Sequence, residues 1–312
     1  MFNTIRRHGR DAVGRYRRSM STKSKTATGN GSSNGTAANG EWPAQVRHLL
    51  VDLDGTLVRQ QEAIDGAAAL LAQFQDRYAI VSNNSTHTAQ GLAKRLRRLG
   101  LRVPPERIVL AGELAVRQLA QQHPGARVLL IGSPALQRFA HAEGCDLVQE
   151  DADFVLLALD MHFSHARLAI AANELLRGAR LIATNADATH PGPQGRVVPE
   201  TGALLAAVIA ASGRQPWRVI GKPAPLLFEE GLRRLGAEPG STVVVGDNPL
   251  TDAEGAARLG MACLLVGQAP GAVAPTVAGL FRPSAAAREE TPQYRLSEST
   301  SKVWRSVRTE VS

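Results

Sequence analysis

The chain has 312 residues, 44% of them hydrophobic, and its 36 Lys and Arg against 28 Asp and Glu give a net charge of +8. This length fits about two domains, each with a buried core. The charge is uneven, because residues 1–40 carry +7, residues 271–312 carry +2 and residues 41–270 carry −1. A surface that follows a nucleic-acid backbone needs Lys and Arg throughout its folded part. We therefore expect no nucleic-acid binding by the body of the chain.

The two cysteines, Cys145 and Cys263, lie far apart and have no metal-ligand spacing around them. Neither a disulfide framework nor a zinc site is indicated, and a reducing, cytoplasmic compartment is expected. The longest uncharged stretch, residues 259–281, is long enough to span a bilayer but contains four glycines and two prolines. It is typical of a strand followed by a loop, so no transmembrane helix is predicted.

Both ends of the chain differ in composition from the body. Residues 1–41 are predicted to be a disordered basic extension, Arg-rich as far as Arg18 and then rich in Ser, Thr, Gly and Asn. Its first part spaces Phe2, Ile5 and Val13 as one helix face would, which is typical of an organelle-targeting or membrane-surface helix. The alternatives are an unstructured extension, or a true start at Met20. Residues 271–312 are predicted to be a mostly disordered tail, in which Trp304 either docks on the body or frays.

Eight short apolar runs alternate with helical segments along the body. Runs buried on both faces and separated by helices are typical of a parallel sheet in an α/β fold. The predicted strands are HLLVDLD (48–54), RYAIVSN (77–83), RVLLIGS (127–133), FVLLALD (154–160), RLIATNA (180–186), RVIGK (218–222), STVVVGD (241–247) and MACLLVG (261–267). The predicted helices begin at Thr86 or Thr88, Ser164, Pro225 and Asp252, and end at Gly100, Gly178, Gly236 and Gly260.

Four of the predicted strands end in polar residues. Ligands bind beyond the carboxyl ends of strands in an open parallel sheet, so residues far apart in sequence can converge there. The four ends are Asp52-Leu53-Asp54-Gly55-Thr56, Ser82-Asn83-Asn84, Gly221-Lys222-Pro223, and Gly246-Asp247 through to Asp252.

The four aspartates at these ends would repel one another unless a cation lay among them. They are Asp52, Asp54, Asp247 and Asp252. Oxygen ligands without His or Cys favour Mg²⁺, which commonly binds carboxylates together with a substrate phosphate. Lys222 and Ser82 would then offer a positive charge and a hydrogen-bond donor to an anionic transition state. One carboxylate can attack phosphorus, and a second can act as general acid and later as base.

The four segments, in this order after apolar strands, resemble the motifs of the haloacid dehalogenase-like (HAD) phosphatases. The long interval between the second and third segments resembles a large inserted cap. Ala183-Thr184-Asn185-Ala186-Asp187, the later Pro199 and Gly202, and Ile64-Asp65-Gly66-Ala67 resemble subfamily IIA, the 4-nitrophenylphosphatase, pyridoxal phosphate and phosphoglycolate phosphatase group. The resemblance covers about residues 46–268.

The resemblance implies a role for each residue of the core motifs. Asp52 would be the nucleophile and a Mg²⁺ ligand, Asp54 the acid/base with its main-chain carbonyl on the metal, and Asp247 the other protein ligand. The phosphoryl group would be held by Ser82 and Asn83 and neutralised by Lys222.

Each of the remaining candidates has two possible roles. Asp252 either orients Lys222 or the metal ligands, or is simply the N-cap of the following helix. Asn185 and Asp187, together with His190, either line the substrate face of the cap or serve a strand-to-loop turn. Glu200 stands where subfamily members often have Gly, which puts the substrate contacts of the cap in doubt.

The implied architecture is α/β, with a Rossmann-like core of parallel strands over residues 42–105 and 215–270 and an inserted α/β cap of the C2 type over residues 106–214. The implied function is Mg²⁺-dependent hydrolysis of a small phosphorylated metabolite, and a homodimer through the cap is a further expectation. The sequence does not distinguish among phosphate esters.

Two alternatives stay open. A non-catalytic phosphate-binding or interaction protein on this fold would be expected to lose Asp52, Asp54 or Asp247, and all three are present. The second alternative is a HAD hydrolase that cleaves another type of bond. Asp54 argues against a dehalogenase, and no lysine follows the first motif closely enough for phosphonate cleavage.

Overall fold

The computed structural model describes residues 46–281, apart from residues 193 and 195. The predicted disordered extension, the Arg-rich targeting segment and the Trp304-containing part of the tail lie outside the described residues.

A sheet of five parallel strands forms the core. Its strands are β1 (His48–Val51), β4 (Tyr78–Ser82), β5 (Ile108–Leu110), β13 (Thr242–Gly246) and β14 (Ala262–Leu265). They lie in the order β14–β13–β1–β4–β5. The strands are continuous apolar runs because helices cover both faces of the sheet.

The core helices are α1 (Ala67–Phe74), α2 (Ala89–Arg98), α7 (Leu226–Leu235) and α8 (Glu254–Arg258). Successive strand residues point to opposite faces. Leu49 and Val51 accordingly belong to one buried cluster, with α1 and α2. Leu50 belongs to the other, with Phe228 of α7.

A second sheet of five parallel strands forms the cap. Its strands are β6 (Arg127–Ile131), β7 (Asp146–Leu147), β8 (Phe154–Leu157), β9 (Arg180–Ala183) and β12 (Arg218–Val219), in the order β12–β9–β8–β6–β7. Its helices are α3 (Ala111–Gln122), α4 (Pro134–Ala142), α5 (His165–Arg177) and α6 (Thr201–Ser212). Leu50 of the core and Val128 of the cap share one buried cluster, to which α3 contributes. The two sheets are therefore packed together rather than joined only by linkers.

Two antiparallel hairpins and four short segments complete the described chain. The hairpins are β2 (Val58–Arg59) with β3 (Glu62–Ala63), and β10 (Thr189–Pro191) with β11 (Val197–Pro199). The first follows Asp54 and the second follows Asp187 in the chain. The segments are the 3₁₀ turns Pro105–Arg107, Pro239–Ser241 and Val277–Leu280 and the π-helical turn Pro249–Ala253.

The α/β class and all eight predicted strands are confirmed. The predicted domain boundaries differ from the sheets at two strands. β5 was assigned to the cap but pairs with β4 of the core, and β12 was assigned to the core but pairs with β9 of the cap. β5 is too short to give a clear periodic signal, and the signal of β12 does not indicate which sheet it joins.

Residues 271–281, which we assigned to the tail, pack on the core. Ala274 bridges Val266, Val277 is fully buried, and the main-chain N–H of Ala278 donates to Asp65 O at 3.2 Å. The small, apolar residues of this stretch suit packing, although its glycines and prolines indicated a loop.

Among residues 46–281, no helix combines the length and hydropathy needed to cross a membrane. Exposed apolar side chains of the cap include Met161, Ile170 and Leu176. A homodimer through the cap stays a prediction.

Candidate active site

Three polar residues lie side by side at the carboxyl end of the core sheet. Asp52 directly follows β1, Ser82 is the last residue of β4, and Asp247 directly follows β13. Strand β1 lies between β13 and β4, and the three strands are parallel. The convergence predicted from the strand ends is therefore found in the structure.

A compact carboxylate cluster occupies this edge. Asp52, Asp247 and Asp252 place carboxylate oxygens within 4.8 Å of one another. Asp52 is 6% exposed and Asp252 is 1% exposed, so water screens their charges poorly. Desolvation raises the pKa of Asp52, against the opposing charge of Lys222, and the charges of Asp252 and Asp247 add to the rise. Desolvation, followed by the charge of Asp252, raises the pKa of Asp247 to about 6.

Lys222 is the cation of this cluster. Its ammonium donates to Asp52 Oδ1 and, at 2.7 Å, to Asp252 Oδ1, and the residue is 3% exposed. Burial alone would lower the pKa of Lys222, but the charges of Asp252 and Asp52 outweigh burial and raise that pKa. The side chain is thus an ammonium at neutral pH.

Asp252 does not cap a helix, which removes one of its two predicted roles. Helix α8 begins at Glu254 and its N-cap residue is Ala253. The carboxylate of Asp252 instead accepts hydrogen bonds from Lys222 Nζ and, at 3.1 Å, from the main-chain N–H of Asn248. Asp252 therefore holds the ammonium together with Asp52.

The donor set of the cluster fits Mg²⁺. Three carboxylates and one ammonium leave a formal charge of −2 when all are ionised, which a divalent cation would balance. All the available donors are oxygens, as Mg²⁺ prefers. The side chain of Asp54 is not part of this cluster, which is compatible with its predicted contribution of a main-chain carbonyl. The ligand roles themselves stay predictions.

Asp54 lies on a tight turn between β1 and β2, where the residue is exposed although neighbouring protein atoms still desolvate its carboxyl in part. Desolvation raises the pKa of its carboxyl, while the charges of Arg95, Lys222 and His190 act against the rise. A raised pKa favours the protonated form that a general acid needs.

Gly55 makes this turn possible. Its φ is +93°, and a Cβ there would lie 2.0 Å from Asp247 Oδ2. A larger residue would displace the carboxylate.

The segment after β4 makes several hydrogen bonds within the protein, and the predicted phosphoryl contacts of Ser82 and Asn83 stay predictions. Ser82 is buried, and its Oγ accepts from Asn84 N at 3.1 Å. The side-chain amide of Asn83 donates to Asp187 Oδ2 at 2.8 Å and to the main-chain oxygen of Lys222 at 3.2 Å, and its Oδ1 accepts from Lys222 N at 2.7 Å. Its side chain thus binds the protein itself.

The two cap residues predicted to face the substrate lie against this segment. Asn185 is 1% exposed and donates to Asn83 O at 2.8 Å and to Thr201 Oγ1 at 3.2 Å. Its Oδ1 accepts from Asp187 N at 3.1 Å. The substrate contacts of Asn185 and Asp187 stay a prediction.

Several contacts had no signal in the sequence. Ser85 Oγ accepts from Leu159 N at 3.0 Å, and Ser133 Oγ donates to Thr86 O at 2.9 Å. These two hydrogen bonds join the core to the cap, as the bond from Asn83 to Asp187 does. The cap hairpin carries a His190 Nδ1 to Glu200 Oε1 contact of 2.7 Å. These pairings depend on where the cap sits, which periodicity does not encode.

Two family models match the chain. A haloacid dehalogenase-like hydrolase model matches residues 49–146, and a HAD-hydrolase-like model matches residues 219–286. The chain is also 34% identical over 220 residues to a dihydroxyacetone phosphatase of Corynebacterium glutamicum, covering 70% of this chain and 79% of that protein. The chain belongs to the haloacid dehalogenase-like hydrolases.

Solved structures agree with this assignment. A 4-nitrophenylphosphatase of Thermotoga maritima superposes with a TM-score of 0.69 at 29% identity, over 72% of this chain and 88% of that one. A glycerol phosphate phosphatase of Mycobacterium tuberculosis, solved in complex with magnesium, gives a TM-score of 0.66 at 37% identity, over 71% and 68% of the two chains. The subfamily IIA resemblance and the enzyme class, a phosphoric monoester hydrolase, are confirmed.

Proposed function

We propose that this HAD enzyme hydrolyses small polyol phosphate monoesters in a Mg²⁺-dependent reaction, through an aspartyl-phosphate on Asp52. One observation carries the proposal. A buried cluster of Asp52, Asp247 and Asp252, neutralised in part by Lys222, lies where ligands bind in a parallel α/β sheet. The cluster supplies a nucleophile and a cation site beside each other.

In the first half-reaction, a carboxylate oxygen of Asp52 forms a bond to phosphorus and the bond from phosphorus to the ester oxygen breaks. Asp54 donates its proton to that leaving oxygen, so the product is a neutral alcohol. The raised pKa of Asp54 favours this proton transfer. The ammonium of Lys222 stabilises the negative charge on the phosphoryl oxygens.

In the second half-reaction, water attacks the phosphorus of the aspartyl-phosphate. Asp54, now ionised, accepts a proton from the water, and the bond from Asp52 to phosphorus breaks. Inorganic phosphate leaves, and both aspartates return to their starting protonation states.

Mg²⁺ would be held by Asp52, Asp247 and the main-chain carbonyl of Asp54, and would supply a Lewis acid for the phosphoryl oxygens. Asp252 lies beside these groups and fixes Lys222. The oxygen-only donors and the formal charge of −2 support this metal.

Polyol phosphates are supported by the relatives and by the polar cap. The relatives include a dihydroxyacetone phosphatase and a glycerol phosphate phosphatase. The cap contributes Asp187, and the β10–β11 hairpin contributes His190 paired with Glu200. These groups can exchange hydrogen bonds with the hydroxyls of a polyol leaving group. A protonated His190 would act to lower the pKa of Asp54.

The test of the chemistry is phosphate release from 4-nitrophenyl phosphate with Mg²⁺ or with EDTA, using wild type, Asp52→Asn and Asp146→Asn. Asp146 is an exposed aspartate of β7 and serves as the matched control. We expect activity only in wild type and the control, and only with Mg²⁺. Equal activity of Asp52→Asn and wild type would overturn the assignment of the nucleophile.

The test of the substrate class compares kcat/KM for glycerol phosphate, dihydroxyacetone phosphate and sugar phosphates with that for AMP and pyridoxal phosphate. We expect the polyol esters to be preferred. A preference for AMP or pyridoxal phosphate would reject the polyol assignment while leaving the phosphatase chemistry intact.

A further inference from the structure

The amide of Asn83 links three parts of the molecule at one point. Asn83 follows β4 of the core, Lys222 carries the cluster ammonium, and Asp187 belongs to the cap. A primary amide has two N–H donors, and those of Asn83 reach Asp187 Oδ2 at 2.8 Å and Lys222 O at 3.2 Å. Its oxygen accepts from Lys222 N at 2.7 Å. No side-chain N–H is left for a phosphoryl oxygen unless one of these bonds breaks.

The orientation of this amide is fixed from both sides. The main-chain N–H of Lys222 can only donate, so it needs the amide oxygen. An ionised Asp187 carboxylate can only accept, so it needs the amide nitrogen. A flipped amide would lose both bonds, which makes Asn83 a defined connector between the cap and the backbone of Lys222.

The packing around this connector leaves little freedom. A Cβ at Gly221 would lie 2.5 Å from Asn83 Oδ1 and 2.8 Å from Thr184 O, so only glycine admits this approach of the chain before Lys222. Asn185, buried at 1% exposure, also holds the main-chain oxygen of Asn83 from the cap. The backbone of Lys222 is thereby fixed, and its ammonium is directed to Asp52 and Asp252.

We propose that Asn83 is a positioning residue that couples the cap to Lys222. Asp187 is its partner on the cap, and the Asn83 side chain does not bind the phosphoryl group. This proposal rests on the proposed function for its catalytic consequence. Its structural content, a cap-to-lysine connection through one amide, does not depend on which ester is hydrolysed.

A charge swap separates this role from phosphate binding. Asn83→Asp puts a carboxylate opposite the carboxylate of Asp187, and we expect kcat to fall about 10- to 100-fold. In the double variant Asn83→Asp/Asp187→Asn the donor and acceptor between residues 83 and 187 are exchanged, and the new carboxylate still accepts from Lys222 N, while the longer bond to Lys222 O is lost. We therefore expect partial rescue, with kcat of the double variant at least about threefold above that of Asn83→Asp. If the Asn83 side chain held the phosphoryl group, the added charge would raise KM for every ester and the second substitution would not restore activity.

A measurement independent of turnover keeps the two proposals distinguishable. We expect Asn83→Ala, but not Asp187→Asn, to speed hydrogen exchange of the Lys222 amide, because only Asn83→Ala removes the acceptor of that N–H. The control is Asn173→Asp. Asn173 is an exposed residue of α5 whose side-chain amide donates to Ala169 O at 2.9 Å, and we expect this variant to change neither the exchange of the Lys222 amide nor the activity.

Each result has one meaning. Rescue by the swap together with faster exchange in Asn83→Ala supports the positioning role. No rescue, or unchanged exchange in Asn83→Ala, overturns it. Faster exchange in a protein that hydrolyses no phosphate ester would reject the proposed function and leave the connection through Asn83 in place.

Discussion

Replacing Lys222 by Met removes the ammonium from the carboxylate cluster while keeping an unbranched side chain of similar length. Lys222 is 3% exposed and bonds Asp52 and Asp252, while Asp247 completes the cluster within 4.8 Å. The variant therefore leaves three crowded carboxylates without their internal cation. We expect it to be inactive and, more informatively, to be destabilised in a way that depends on pH and Mg²⁺.

The size of the effect follows from burial. Removing one partner of a buried ion pair commonly costs about 3–5 kcal/mol, because the remaining charge stays buried and unpaired. The pKa of Asp247 is about 6 even with Lys222 present, and Lys222 acts to lower it. Without the ammonium, this pKa rises further. An acid with a raised folded-state pKa loses stability as pH rises toward that pKa, and regains it on acidification. The deficit of the variant should therefore be largest above about pH 7 and should shrink below about pH 6.

The assay is urea unfolding of wild type, Lys222→Met and Lys94→Met, at about pH 5 and about pH 8, each with Mg²⁺ and with EDTA. Lys94 is an exposed lysine of α2 and controls for loss of a lysine charge. Mg²⁺ should recover more unfolding free energy in Lys222→Met than in the control at the higher pH. Equal unfolding free energies of the two variants, or a deficit that stays the same at both pH values, would refute the electrostatic reasoning.

Three further outcomes follow from individual contacts. Metal-free wild type should lose about 2 kcal/mol of unfolding free energy relative to Asp247→Asn as the pH rises from about 4 to about 6, because the raised pKa of Asp247 makes its ionisation in the folded state costly. Urea titrations at each pH measure the difference. Gly55→Ala should lower kcat more than about 100-fold. The φ of +93° at this position is strained for alanine, and the added Cβ, 2.0 Å from Asp247 Oδ2, would displace that carboxylate. Circular dichroism would confirm that the variant folds. Glu200→Ala should raise KM for polyol phosphates about tenfold, while Glu200→Gln keeps an acceptor for His190; unchanged KM in both would exclude this pair from substrate binding.

The sequence was most informative where local pattern determines the outcome. The apolar runs that became β1, β4 and β13 are long enough to identify, and parallel strands necessarily bring their carboxyl ends to one edge. The placement of Asp52 and Asp247 followed from these two facts. β5, with three residues, carries too few positions to be predicted as a strand, and the sequence of β12 indicates a strand but not the sheet it joins, so the predicted domain boundaries do not follow the two sheets at these strands.

Contacts between core and cap could not be predicted in the same way. Asn83 and Asp187 are 104 residues apart, and their hydrogen bond exists because the cap sheet packs through α3 against the core. Nothing local to either residue distinguishes a phosphate contact from a bond to the cap. The same holds for Asp252, whose position before a helix was equally compatible with a helix N-cap and with the bond to Lys222 that the structure shows.

The cluster ammonium reaches the site along a different route from its carboxylates. Asp52 and Asp247 follow strands of the core sheet, whereas Lys222 comes three residues after β12, which pairs with β9 of the cap. The buried pairs of Lys222 with Asp52 and Asp252 thus fasten the end of the cap sheet to the core. Moving that end would separate buried opposite charges and break both main-chain bonds of Lys222 to Asn83, at a cost of several kcal/mol. A cap motion that kept these contacts would have to leave Gly221 and Lys222 in place, so that the ammonium stays aligned with Asp52 and Asp252.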